Sequence, residues 1–131
     1  MKALQVATVA MFSLAVFPLL TFADPDTAPT GLQISPTSVD FGEVQVNSDS
    51  SPRLITISNQ TKGNITIEQI IASGMDFSEN HDCGQALAPG AQCTIQVSFR
   101  PVIAGPRIGN LDVMGSDSGS PHFIALNGTG K

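Results

Sequence analysis

The chain has 131 residues, with 6 Lys and Arg against 11 Asp and Glu, two Cys, and neither Trp nor Tyr. That is the length of one ordinary domain, and the negative charge works against nucleic acid and anionic membrane surfaces as partners. Without Trp or Tyr there are none of the flat platforms on which sugar-binding modules stack pyranose rings or single-strand binders stack bases.

After Met1 and Lys2, residues Ala3 to Ala23 carry no charge, and Asp24-Pro25-Asp26 follows directly. One cation, an apolar stretch, the helix-breaking Pro18 and small residues at Thr21 and Ala23 make the layout of a secretory signal (residues 1–23), predicted to be cleaved after Ala23. An uncleaved anchor is the competing reading, since 21 uncharged residues can just span a bilayer. Pro18 and the lack of a basic flank after Ala23 count against it. No Cys follows the apolar stretch, which excludes a bacterial lipoprotein anchor. Cleavage removes one Lys and no acid, shifting the net charge from −5 to −6. The mature protein is therefore expected to be secreted or periplasmic, with no stable membrane insertion.

Residues 24–31 hold two Pro, two Asp and no large apolar residue, and read as a short extended lead-in. From Leu32 to Gly130 short β-branched runs alternate with turn clusters: LQIS, VDFGEVQV, RLITISN, NITIEQII, CTIQVSFR, Arg107 to Met114, and HFIALNG. These predict seven strands in one domain over 32–130. The clearest is the run in which Cys93, Ile95, Val97 and Phe99 alternate with Thr94, Gln96, Ser98 and Arg100. A two-residue period puts the first row inward and the second outward. The same alternation recurs at Ile55 and Ile57, Ile65 and Ile67, Leu111 and Val113, and Ile124 and Leu126, and no stretch has helical periodicity of useful length. Thr61 to Asn64, Ala88 to Ala91, Ala104 to Pro106 and Gly115 to Pro121 supply Gly, Pro or Asn where the chain must reverse. Seven short strands with tight reversals match an all-β, immunoglobulin-like sandwich of two sheets. Phe41, Phe77, Phe99 and Phe123 sit in apolar patterns expected of its core.

Cys83 and Cys93 flank GQALAPGAQ, a loop with Pro89-Gly90 as its turn. In an exported protein such a pair is most simply a disulfide, worth about 3 kcal/mol in the chain-entropy model for a loop of this size. A metal site would need two more ligands at suitable spacing, and a thioredoxin-type pair has only two residues between its cysteines.

Several segments together resemble the immunoglobulin-like module shared by the abnormal-spindle and hydin proteins, the ASH domain, and its bacterial relatives labelled choice-of-anchor D. The opening ISPTSVDFGEVQVNSDSSPRLITISNQ is similar to that family's start, a Pro and a Phe-Gly before a Val strand and then a strand ending at Asn. The stretch FSENHDCGQALAPGAQCTIQVSFRPVIAGPRIGNL resembles its most recognisable block, from the first Cys through a Leu-x-Pro-Gly turn to a strand ending Phe-x-Pro, and IALNGTG looks like its closing strand. The resemblance implies a sandwich of seven to eight strands, similar to the major sperm protein module, used for protein interaction or as a spacer, without catalytic residues.

Other chemistry is weaker. Asp117-Ser118-Gly119-Ser120-Pro121 resembles the nucleophile segment of trypsin-like proteases, but such an enzyme needs about twice this length and a His segment of its own; a polar hairpin turn is expected instead. Asp76, Ser78, Asn80 and Asp82 occupy the first four odd positions of a calcium loop, yet His81 stands where Gly is required and Leu87 where Glu is, so a solvated loop is expected. His81 and His122 with Met75 and Met114 fit no copper spacing; buried Met and surface His are expected. Sequons stand at Asn59, Asn64 and Asn127 and matter only in a eukaryotic source.

The sequence thus points to an exported, non-enzymatic protein-interaction module with no cofactor and no metal. Its alternative is a structural or spacer subunit of a cell-envelope or surface assembly, with self-association. The outward row Thr94, Gln96, Ser98 and Arg100 is the candidate interaction face, weighed against ordinary solvated sheet surface.

Overall fold

The computed structural model describes residues 31–131; the leader and nearly all of the lead-in lie outside them. Nine strands follow one another: β1 (Leu32–Ser35), β2 (Ser38–Val44), β3 (Arg53–Asn59), β4 (Ile65–Ser73), β5 (Phe77–His81), β6 (Ala86–Leu87), β7 (Gln92–Phe99), β8 (Gly105–Gly115) and β9 (His122–Gly130). They form a four-stranded sheet in the order β1-β3-β7-β5 and a five-stranded sheet in the order β2-β9-β8-β4-β6. All pairs are antiparallel except β2 with β9. The molecule is an all-β, immunoglobulin-like sandwich, and no helix of the described residues is long and apolar enough to cross a membrane.

The alternation read from the sequence fixes which side of each strand is buried. Ile95, Val97 and Phe99 of β7 and Ile55 and Ile57 of β3 have no exposed surface, and they meet Leu111 and Val113 of β8 and Ile124 and Leu126 of β9 across the interface. Phe41, Phe77 and Phe99 gather at one end of this core with ring centroids 5.0 to 5.9 Å apart. Gly128 is required there, because a Cβ on it would enter the Phe99 ring. Gly42 serves a different need. It takes a φ of +71° at an irregularity in the β2–β9 pairing, where its amide donates to Asp40 Oδ1 at 2.9 Å.

Four expectations need correction. Phe123 is not in the core: it is 62% exposed, because its neighbours Ile124 and Leu126 take the inward positions of β9. The stretch expected as a solvated loop contains β5, whose sequence FSENH buries only Phe77 and so gives no apolar alternation. Ala86 and Leu87 form a further short strand inside the cysteine loop, pairing with Thr66 and Ile65 of β4. The copper partners are also placed otherwise than expected: Met75 is 87% exposed and His122 is half-buried.

Candidate interaction surface

Cys83 and Cys93 form a disulfide with Cα atoms 5.1 Å apart. The loop that it closes leaves the four-stranded sheet after β5, pairs with β4 of the other sheet through β6, and returns as β7. Asp82 lies beside the bridge and accepts from the Thr94 amide at 2.7 Å. It comes close to both sulfurs, but paired cysteines offer no thiolate to a metal.

Asn59 is the most heavily bonded side chain at this end of the sandwich. It is fully buried, with Nδ2 donating to the carbonyls of Gly63 at 2.7 Å and Leu87 at 2.8 Å. Its Oδ1 accepts from the Thr61 amide and hydroxyl. In the folded domain this sequon has no amide nitrogen available for a glycan, whereas Asn64 and Asn127 are exposed.

Two of the acids that the sequence offered to chemistry, Asp117 and Asp76, are structural anchors. Asp117 Oδ2 accepts from the Leu32 amide at 3.1 Å and pairs with His122 Nε2 at 2.7 Å, tying the first strand to the β8–β9 turn. Burial pushes this carboxyl up, but the hydrogen bonds from His122 and Leu32 and the His122 charge outweigh it and hold it below the usual carboxylate value. Asp76 is buried against the Arg107 guanidinium and accepts from the Val102 amide at 2.9 Å. Burial again opposes, and Arg107 and Val102 again win, lowering its pKa. The would-be calcium ligands do not converge. Asp76 faces Arg107, Asp82 bonds Thr94, and β5 extends between them over about 20 Å at strand rise.

The candidate row lies on the outer face of the four-stranded sheet, on β7 between β3 and β5. Thr94 is opposite Thr56, Gln96 lies between Leu54 and Asn80, and Ser98 is opposite Ser78. Arg100 ends the row and reaches Asp49 at 3.3 Å, both exposed; such a pair contributes little to stability. The face consists mainly of hydroxyls and amides. Leu54 is 57% exposed upon it, and a hollow of about 140 Å³ opens between Asn80, His81, Asp82, Thr94 and Gln96.

The opposite outer face, on the five-stranded sheet, has another character. Ile71, Asp112 and Phe123 stand in register across β4, β8 and β9, with Met114 and Ile108 exposed on the same strand β8. Sequence reasoning passed over this patch, because its members come from three strands and only the pairing register brings them together.

A family model described as "Abnormal spindle-like microcephaly-assoc'd, ASPM-SPD-2-Hydin" matches residues 30–123. The chain belongs to this ASH family. No curated protein matches it. Among solved structures, the ASH/PapD-like domain 7 of human CEP192 is similar over 88% of this chain and 96% of its own, with 13% identity and a TM-score of 0.60. WR4, a Caenorhabditis elegans member of the MSP family, is similar over 78% of this chain and 99% of its own, at 5% identity and a TM-score of 0.50. The secreted serine protease VesC of Vibrio cholerae is similar over 80% of this chain, with 18% identity and a TM-score of 0.61. This ASH chain spans 24% of VesC. At these identities the likenesses establish the sandwich fold.

Proposed function

We propose that this ASH domain is an exported, non-enzymatic protein-interaction module of the bacterial choice-of-anchor D type, binding a protein partner through one of its exposed sheet faces. The observation that carries the reading is the family match over most of a sandwich whose outer faces are solvent-exposed. Asp76 and Asp117, two of the acids first weighed for chemistry, serve to pin strands and loops. The Cys83–Cys93 bridge supports an oxidising compartment, and with it the reading of residues 1–23 as a signal. Thr94, Gln96, Ser98 and Arg100 form one candidate face; Gln96 and Arg100 are exposed, and Thr94 and Ser98 are half-buried.

The test is cross-linking and capture of the tagged protein from the envelope and medium of its host, with mass-spectrometric identification of what is retained. One stoichiometric protein is expected. If Gln96→Ala with Arg100→Ala leaves its capture unchanged, the β7 row is not the binding face. Retention of further copies alone would favour a structural or spacer subunit assembled through the unpaired edges of β1 and β5.

A further inference from the structure

The five-stranded sheet has an open edge with a defined chemistry. β6 covers only the start of β4: Ala86 and Leu87 pair with Thr66 and Ile65, and the Gln85 carbonyl accepts from the Ile67 amide. A bulge follows, and then from Gln69 to Ser73, about 17 Å at strand rise, β4 pairs with β8 on one side and with no described strand on the other. An unpaired edge of that length is a template for a further strand, which proteins usually blunt with Pro, charge, irregular pairing or brevity. The stretch QIIAS has neither Pro nor charge. The other long edges are blunted: β1 is four residues long and precedes Pro36, β2 shifts register around Gly42, and β5 carries Glu79.

Side chains and charge define what fits there. Ile70 is buried and Ala72 half-buried against the core, while Gln69, Ile71 and Ser73 point outward and are exposed. A strand added beside them sets every second side chain against the same apolar rim. Where β6 gives way to the open edge, a hollow of about 250 Å³ lies between residues 67–70 of β4 and the crossing segment that includes His81, Cys83 and Gln85. Glu68 lines it. From Ile65 to Phe99 the chain has four acids and no Lys or Arg. Arg107 takes Asp76, whereas Glu68, Glu79 and Asp82 enter no ion pair among the described residues. This side of the molecule therefore favours a cationic partner. It disfavours a second copy, which would bring the same acids together.

We propose that the open edge of β4 receives an extended segment of a partner protein as an added strand, with its apolar side chains against Ile70 and Ala72 and a Lys or Arg toward Glu68. The proposal rests on the protein-interaction reading and places the contact on a sheet edge instead of the β7 row.

The test is an amide-shift titration of the whole mature protein with an eight-residue capped peptide alternating valine and lysine. At about 5 mM peptide, enough to fill most of a millimolar site, saturable shifts are expected from Gln69 to Ser73, with slowed hydrogen exchange there. A counterpart with glutamate for lysine, or one N-methylated at every residue and so unable to donate strand hydrogen bonds, is expected to bind at least about tenfold more weakly. Glu68→Gln, at an exposed position, is expected to weaken the lysine peptide about two- to fivefold, the range of an exposed ion pair. Glu43→Gln, the same change on the opposite edge strand β2, is expected to leave it unchanged. Absence of saturable shifts in that stretch, equal binding of either counterpart peptide, or equal weakening by the two variants overturns the proposal. If the protein sediments as a dimer in which Gln69 to Ser73 exchange slowly, the occupant is a second copy and the proposal fails. Host capture separates this from the broader reading. A captured partner that the lysine peptide does not displace removes the β4 edge and leaves the interaction reading standing; capture of no protein removes that reading and the proposal with it.

Discussion

Asn59 illustrates how one residue can be named from the sequence for one reason and held in the structure for another. As a sequon it invited a glycan; as a fully buried side chain with four hydrogen bonds it joins the end of β3 to the β3–β4 turn and to Leu87 of β6. Truncation would leave the Leu87 carbonyl and the Thr61 amide without that partner, while the exposed Gly63 carbonyl keeps the Thr61 hydroxyl, and a buried orphan costs about 1–3 kcal/mol. Asn59→Ala is therefore expected to lower unfolding stability by roughly 2–4 kcal/mol, read as a fall in the urea midpoint at unchanged slope. A loss under about 0.5 kcal/mol, the range of ordinary surface changes, would mean that water replaces these bonds freely. Asp76 follows the same logic on the opposite end of the sandwich. Asp76→Asn keeps an acceptor for the Val102 amide but removes the charge facing half-buried Arg107, at an expected cost of about 1.5–3 kcal/mol. Differential scanning calorimetry at neutral pH measures it.

At the level of strands, legibility followed apolar alternation. β7, β3 and β9 were readable because their buried members recur every second residue, and that period needs no knowledge of neighbours. β5 was not, because an edge strand with one face over the core's rim buries only Phe77, and its polar residues imitate a calcium loop. Phe123 misled in the other direction: its apolar character suggested the core, but the inward places on β9 go to Ile124 and Leu126. The Ile71, Asp112 and Phe123 row was invisible for a different reason. Its members come from three strands, Ile71 lying 41 residues before Asp112, and a bulge between Ile67 and Gln69 resets which β4 residues face out. The cysteine loop shows an element whose role exceeds its length. It carries buried Leu87 across to β4, so the disulfide restrains a segment that spans both sheets. Replacing both cysteines by Ser is expected to cost about 3 kcal/mol from the freed loop alone. Hydrogen exchange should then speed up first at Ile65 to Ile67, where β6 and the Gln85 carbonyl pair with β4. Uniform acceleration over all strands would instead indicate loss of the whole fold.

Across the whole molecule, two buried carboxylates hold the sandwich from its two ends. Asp117 joins the entry of β1 to the β8–β9 turn, while Asp76 joins the β4–β5 turn to the β7–β8 connection and to Arg107 of β8. Each has a folded pKa below its ordinary 3.8. The unfolded chain therefore takes up protons first as pH falls, and protonation favours unfolding. The stabilisation from both acids is fully present above the unfolded value and is lost as pH drops through the lowered folded values. Urea stability is expected to be flat from about pH 7 to 5 with respect to these two groups and to fall below about pH 4. With Asp76→Asn and Asp117→Asn together, stability at neutral pH should be lower and the acid limb shallower, because the groups whose titration differs between the states are gone. An acid limb as steep as the wild type's in the double variant would assign the acid sensitivity to other carboxylates. It would also show that the two end anchors act through geometry rather than charge.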